Sequence, residues 1–204
     1  MGKLIAKTAL CTLSVLIGLA LLVFGVVSLA APSAMLAISD DLGMDKLSAA
    51  YSVAVCERTE KIEDLAEAVE RNYNVSNYSE CAKYGAKLLA DSDFERYCAA
   101  RDQQTAGNDN IHKSYSQYIS GIVSTAQYYT GEEEAALNTA FSALGQTFPK
   151  YNAVKDLTVS ARIKDDKIFC GQILERLQDM KVEDSQEQEL LRNFISDLAD
   201  YCTK

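Results

Sequence analysis

The chain has 204 residues; an uncharged stretch from Thr8 to Ser39 takes 32 of them and leaves 165 from Asp40 onward, one domain's worth. Two prolines, ten glycines and no tryptophan exclude collagen-like, proline-rich and linker compositions, and an apolar content of 48% is ample for a packed core. All 29 acidic residues lie at Asp40 or later against 18 basic ones, a net of −11 that repels phosphate backbones and argues against nucleic acid and anionic lipid headgroups as partners.

From Thr8 to Ala31 there are 24 residues without a charge, rich in Leu and Val. At 1.5 Å of rise per residue, this exceeds the roughly 20 residues a helix needs to cross the hydrocarbon core. A cleavable signal peptide is the competing reading, since Ser28-Leu29-Ala30 places small residues before Ala31. Signal peptides, however, carry apolar regions of about 7 to 15 residues, so an uncleaved anchor is expected. Lys3 and Lys7 precede the span and Asp40, Asp41 and Asp45 follow it. This bias puts the N-terminus in the cytoplasm and the large region outside. Gly2 is followed by Ala6 where myristoylation wants Ser or Thr, and Cys11 lies inside the span without a C-terminal box, so lipidation is not expected. The expected division is a signal-anchor segment over 1–39 and an extracytoplasmic helical domain over 40–204.

Beyond Asp45 the apolar spacing is that of helices nearly throughout. Leu47, Tyr51, Val55, Ile62, Leu65 and Val69 mark one face of a long helix ending near Asn72. A second helix follows over about Asn77 to Ala90. A third runs to Gln104 from Ser92-Asp93-Phe94-Glu95, which has capping-box spacing. The polar run Thr105 to Asn110 reads as a loop. The stripe Ile111, Tyr115, Tyr118, Ile119, Ile122, Val123, Ala126 and Tyr129 predicts the next helix. Thr130-Gly131-Glu132-Glu133 offers a second capping box before Leu137, Ala140, Phe141, Leu144 and Phe148, and Pro149 ends that helix. Leu157, Val159, Ala161 and Ile163 alternate like a short strand or extended loop. Two final helices, about Ile163 to Lys181 and Gln186 to Cys202, are separated by a third capping-box match at Ser185-Gln186-Glu187-Gln188. Leu190, Leu191, Phe194, Ile195, Leu198 and Cys202 form the apolar face of the last, with Glu187 and Asp200 on its polar face.

Asn77-Tyr78-Ser79-Glu80-Cys81-Ala82-Lys83-Tyr84 resembles the second helix of a tetratricopeptide unit, with small residues where neighbouring helices approach closely. Gly131-Glu132-Glu133-Glu134-Ala135-Ala136 is similar, but lies 54 residues on rather than 34, and an ordinary antiparallel hairpin is the alternative. After the N-terminal span, Arg58-Thr59-Glu60-Lys61-Ile62-Glu63-Asp64-Leu65-Ala66-Glu67-Ala68-Val69 resembles the LemA family at Ile62, Leu65, Glu67 and Val69. Phe148-Pro149 and Asp165-Asp166-Lys167-Ile168 resemble that family's later Tyr-Pro and Glu-Asn-Lys-Ile, in the same order. Glu63 and Asp64 replace the family's proline and asparagine, and no closing Tyr-Asn pattern follows Lys181. This resemblance implies a membrane-anchored antiparallel helical bundle with no established enzymatic activity.

Outside the span stand Cys56, Cys81, Cys98, Cys170 and Cys202; no two have CxxC spacing and no His lies near any, so the usual zinc and thioredoxin-like patterns are absent. Cys81 and Cys98 are the nearest disulfide candidates across a predicted hairpin, though small buried hydrophobes are the favoured reading. His112 is the only histidine, and no flanking motif offers it a nucleophile. Asp40, Asp41 and Asp45, and Asn108-Asp109-Asn110, lack the calcium-loop pattern and are read as helix caps. Asp165 and Asp166 are adjacent and point to different sides of a helix. Tyr115, Tyr118, Tyr128 and Tyr129 read as core and groove lining rather than a ligand cage. Asn74-Val75-Ser76 and Asn77-Tyr78-Ser79 are glycosylation sequons, meaningful only in a cell that glycosylates exported chains.

The expectation is an all-α protein: one N-terminal transmembrane helix, then an antiparallel helical bundle or short helical-repeat region. No catalytic, cofactor-binding or metal-binding residue is assigned. The expected partners are the membrane, through the N-terminal helix, and another envelope or membrane protein. A secreted soluble helical protein and an enzyme using His112 or a carboxylate pair are the alternatives.

Overall fold

The computed structural model describes residues 2–105, 114–143, 151–180 and 185–204, and among them all regular structure is helical. The first part holds α1 (Gly2–Ala30), α2 (Pro32–Asp41), α3 (Asp45–Thr59), α4 (Ile62–Asn74), α5 (Tyr78–Leu89) and α6 (Phe94–Thr105). The second holds α7 (Tyr115–Tyr129), α8 (Glu133–Ser142), α9 (Asn152–Ile163), α10 (Lys167–Gln178) and α11 (Ser185–Thr203). Within α1, Thr12–Ala30 is long and apolar enough to cross a membrane, and its side chains from Thr12 to Phe24 are all exposed.

Pro32 takes the first position of α2, where its missing N–H sacrifices no helical bond, and it marks the break from α1. Pro32, Met35 and Ser39 are buried, and Ser48 Oγ on α3 donates to Ser39 Oγ at 3.0 Å. The boundary expected at 39/40 therefore falls inside a helix that belongs to the packed region. An uncharged run that continues from the span through Ser39 hides that helix in the sequence.

Four of the connections are the same turn. Met44, Asn77, Glu132 and Asp166 donate their backbone N–H to the carbonyls five residues earlier, those of Ser39, Asn72, Gln127 and Ala161, at 2.8 to 3.0 Å. Each turn contains one left-handed residue, Gly43, Ser76, Gly131 or Asp165, with φ of 63°, 60°, 85° and 53°. This six-to-one bond around a left-handed residue satisfies carbonyls that a helix end leaves without a partner. The register of burial repeats as well. Ser39, Asn72, Gln127 and Ala161 are buried four positions before the left-handed residue, and Ser48, Cys81, Ala136 and Cys170 five positions after it. Small side chains recur at that second position because the following helix folds back closely there. Asn72 follows Ser39 by 33 positions, and Ala161 follows Gln127 by 34.

The pairs α2–α3, α4–α5, α7–α8 and α9–α10 stack through α3 on α4, α5 on α7 and α7 on α9, with α11 against α10. Their turns line one edge. Arg71 before the second turn bonds Asp40 before the first, Tyr78 stacks on Tyr129 with centroids 4.4 Å apart, and Lys164 lies 4.4 and 4.5 Å over the rings of Tyr128 and Tyr129. Helix α7 is the central element, with every residue from Ile119 to Tyr128 buried. Its apolar residues join two cores. Ile119, Ile122, Val123 and Ala126 pack with Val69, Tyr84 and Leu88, whereas Tyr128 packs with Leu137, Leu157, Phe169 and Leu198. Gly85 permits close approach: a Cβ built there stands 2.4 Å from Val123 Cγ2.

Several expectations are corrected. The long helix through Val69 is two helices, because Glu60 adopts φ 52° and donates its N–H to the Cys56 carbonyl, while Thr59 Oγ1 donates to Asp64 Oδ2 at 2.6 Å. The seven-residue step from Val55 to Ile62 imitates two continuous turns, but α4 turns back so that Ala66, Ala68 and Val69 reach the core with Cys56. The alternating stretch from Leu157 to Ile163 is helical α9. Asn152, Ala153, Val154, Leu157, Thr158 and Ala161 are buried at helical spacing, leaving Val159 and Ile163 exposed.

Two of the capping boxes act differently. At α6 the backbone N–H of Asp93 donates to Asp91 Oδ1, at 2.8 Å, and the helix begins at Phe94. Thr130 Oγ1 donates to the Ala126 and Gln127 carbonyls, closing α7 rather than opening α8. The third match starts at Ser185, already the first helical residue, so its cap lies outside the described residues. The helix expected from Ile163 begins at Lys167, where Asp166 Oδ1 accepts from the Phe169 N–H at 3.0 Å. Glu187, placed on a polar face by sequence, is 1% exposed.

Candidate functional site

A groove with a volume of about 460 Å³ lies between the end of α5, the start of α6, and helices α7 and α8. Leu89, Phe94 and Ala143 supply apolar surface, and Ser116, Ser120, Asn138 and Thr139 supply hydroxyl and amide groups. Asn138 Oδ1 accepts from Arg176 Nη1 at 2.8 Å. Helix α7 places small polar residues, half-buried Ser116 and buried Ser120, at the groove where large apolar side chains would fill it. Its lining is nearly uncharged, with Glu95 the acid at its rim, and it suits recognition by hydrogen bonds over an apolar floor.

A smaller groove of about 300 Å³ is lined by Cys56, Glu57, Lys61, Leu65, Tyr84 and Lys87 among others. Tyr84 Oη donates to Glu57 Oε1, and Lys83 and Lys87 lie 4.6 and 4.8 Å from the Tyr84 ring centroid. The charges here face one another across a buried ring, which leaves few groups free for a ligand.

The tyrosine cluster is structural. Tyr115 Oη donates to Glu70 Oε1 at 2.5 Å, its ring meets Tyr97 edge-on at 5.6 Å, and the Arg101 guanidinium lies 5.0 Å over it. These contacts tie α4, α6 and α7 together, and burial pushes the Tyr115 hydroxyl far above its ordinary range. Tyr118 is pushed up to about 12 by burial. Tyr128 Oη donates to Asp166 Oδ2 at 2.9 Å, and Tyr201 Oη to Asp165 Oδ1 at 2.8 Å. The adjacent acids Asp165 and Asp166 therefore face different helices and join α10 to α7 and α11.

Cys56, Cys81, Cys98 and Cys170 are buried and free, and Cys202 is half-buried and free. The Cys81–Cys98 disulfide is not formed. Burial pushes Cys81 and Cys98 up to about 12 and Cys170 up to about 11, so at neutral pH they are thiols packed as small hydrophobes, not nucleophilic thiolates. Asp40, read as a cap, instead accepts two bonds from Arg71. Asp45 does stand in the first turn of α3. Among the described residues no group of three His, Cys, Asp or Glu side chains converges as metal ligands. His112, Asn108-Asp109-Asn110 and Phe148-Pro149 lie outside the described residues. No protein-family model, curated protein or solved structure matches the chain. The groove and its hydroxyl lining were missed by sequence reasoning; the signal available was the pair Ser116 and Ser120 at helical spacing.

Proposed function

We propose that this protein is a membrane-anchored helical scaffold of the cell envelope that binds another envelope or membrane protein and performs no catalysis of its own. The observation that carries this reading is the recurrence of one turn and one burial register in four helix pairs. Stacked pairs of this kind form extended surfaces and grooves between neighbours, and their usual work is to present those surfaces to a partner. Steps of 33 and 34 positions support the tetratricopeptide-like resemblance, whose period is about 34 residues, over the LemA-like one. In this reading α6 and the residues up to α7 are an insertion between the second and third pairs. The antiparallel arrangement of the helices, in a bundle or a short solenoid, belongs to the same proposal.

The anchor is α1, with the N-terminus in the cytoplasm and the helical region outside, as Lys3 and Lys7 before the span and Asp40, Asp41 and Asp45 after it support. The partner occupies the groove bordered by Phe94, Ser120 and Thr139. A photo-reactive amino acid placed at Thr139 in intact cells should yield a discrete adduct, and one placed at Glu175, on the exposed side of α10, should not. Equal labelling from both positions, or from neither, overturns the binding assignment. Protease added to intact cells should digest the region beyond α1, and its protection would reverse the orientation.

A further inference from the structure

The last turn of α1 is gripped by α3. Tyr51 Oη donates to Ser28 Oγ at 2.7 Å, Arg58 Nη1 donates to the Ala30 carbonyl at 3.0 Å, and Arg58 Nη2 donates to the Leu29 carbonyl. Leu29 and Ala30 are among the final residues of α1, whose carbonyls have no partner inside the helix, and a cation there also complements the negative end of the helix dipole. The contact is tertiary, since α2 and most of α3 lie between the partners. Helix α2 leads away from the end of α1 and α3 returns to it, so the Glu60–Lys61 connection sits beside α1. The turn edge lies at the far end of α2, about 15 Å away for ten helical residues.

The 19 residues Thr12–Ala30 rise about 28 Å as a helix, close to the roughly 30 Å of hydrocarbon in a bilayer. Ser28, Leu29 and Ala30 then fall at the outer boundary of the hydrocarbon, and so do the groups that hold them. A tyrosine and an arginine suit that depth: the ring is apolar with a polar tip, and the guanidinium reaches the polar headgroup level on an apolar stem.

We propose that the edge of the helical region carrying Tyr51, Arg58 and the Glu60–Lys61 connection lies against the lipid headgroup layer, held there by the Tyr51–Arg58 clamp, while the four turns point away from the membrane. The proposal rests on the reading of α1 as a retained anchor. It makes α3 an extension of that anchor, so the direction in which the partner groove faces is set by side-chain contacts and not by a flexible tether.

The chain contains no tryptophan, so a single introduced one is the sole indole reporter. Full-length Leu21→Trp, Lys61→Trp and Glu132→Trp variants would be reconstituted in phosphatidylcholine vesicles carrying a nitroxide on the acyl chain or on the headgroup. Leu21→Trp should lose most of its emission to the acyl-chain nitroxide. Lys61→Trp should lose most of its emission to the headgroup nitroxide, and Glu132→Trp, at the third turn, should retain it. Adding Tyr51→Phe and Arg58→Gln to Lys61→Trp should restore emission, with circular dichroism confirming that the helices persist. If that variant unfolds, Arg58→Gln alone takes its place and should restore part of the emission. Equal emission from Lys61→Trp and Glu132→Trp alongside a quenched Leu21→Trp overturns the proposal and leaves the anchor standing. Continued quenching of Lys61→Trp in a folded clamp variant also overturns it. An unquenched Leu21→Trp removes the anchor reading itself.

Discussion

Arg71 on α4 holds the Asp40 carboxylate at the end of α2 through two bonds, Nη1 to Oδ1 at 2.6 Å and Nη2 to Oδ2 at 2.8 Å. The same guanidinium donates through Nε to Glu67 Oε1 at 2.7 Å. The Arg71 hydrogen bonds hold the Asp40 carboxyl below its usual range. A carboxyl with a lowered native pKa adds stability above its unfolded value, near 4, and that contribution fades as pH falls through the lower native value. Both side chains are about one-third exposed, so solvent limits the pair to about 1 kcal/mol even with two-point geometry. Asp40→Asn should lower the melting temperature at pH 7, by a difference that shrinks progressively as pH falls below about 4. An undiminished difference in acid would mean the carboxylate charge is not what matters.

The placement of α2 sets a second expectation. A chain beginning at Ala31 keeps Met35 and Ser39 against α3, whereas one beginning at Asp40 uncovers Ser48, Ala49 and Ser52. Loss of the buried methionine alone is worth about 2–5 kcal/mol. Both chains should be helical by circular dichroism, with the shorter one melting well below the longer. Equal melting temperatures would show that α2 adds nothing to the packed region.

Two glycines of the stacked helices should respond in different ways. Gly85→Ala drives a Cβ to 2.4 and 2.9 Å from the two methyls of Val123, a stiff β-branched side chain at the junction of α5 and α7. Overpacking of this kind costs about 1–3 kcal/mol. Gly121→Ala meets the end of a flexible carboxylate, Asp156 Oδ2 at 2.7 Å, and gains about 1 kcal/mol of helix propensity. Urea denaturation should therefore show Gly85→Ala weakened and Gly121→Ala close to the parent. The reverse order would contradict the packing described at both sites.

Glu187 and Asp200 separate burial from charge on α11. Glu187 is 1% exposed and its charge acts on Tyr151, while Asp200 is exposed. Glu187→Lys reverses a charge in a buried setting and should cost about 3 kcal/mol or more, against less than about 0.5 for Asp200→Lys. Thermal melts of the two variants distinguish them, and a tolerated Glu187→Lys would place that side chain in solvent.

Local physics carries a good part of this protein. The length and apolarity of α1, the 3.6-residue spacing of α5, α7 and α11, and the acidic balance after Asp40 are all properties of short stretches of chain, so they were legible without coordinates. The all-helical class followed from them. Where two short helices abut at a fortuitous seven-residue step, as at Thr59 to Ile62, periodicity cannot see the break, because the left-handed Glu60 is stabilised by where α4 must go. The same holds for α9, whose β-branched residues imitate a strand until α7 supplies the surface that buries one helical face. The candidate groove was not legible either. Its lining comes from helices α5 to α8, and serines that are unremarkable in sequence line a groove because tertiary packing brings those four helices around them. Glu187 shows the reason most plainly: a side chain's charge is written in the sequence, but whether that charge meets water is decided by neighbours distant along the chain.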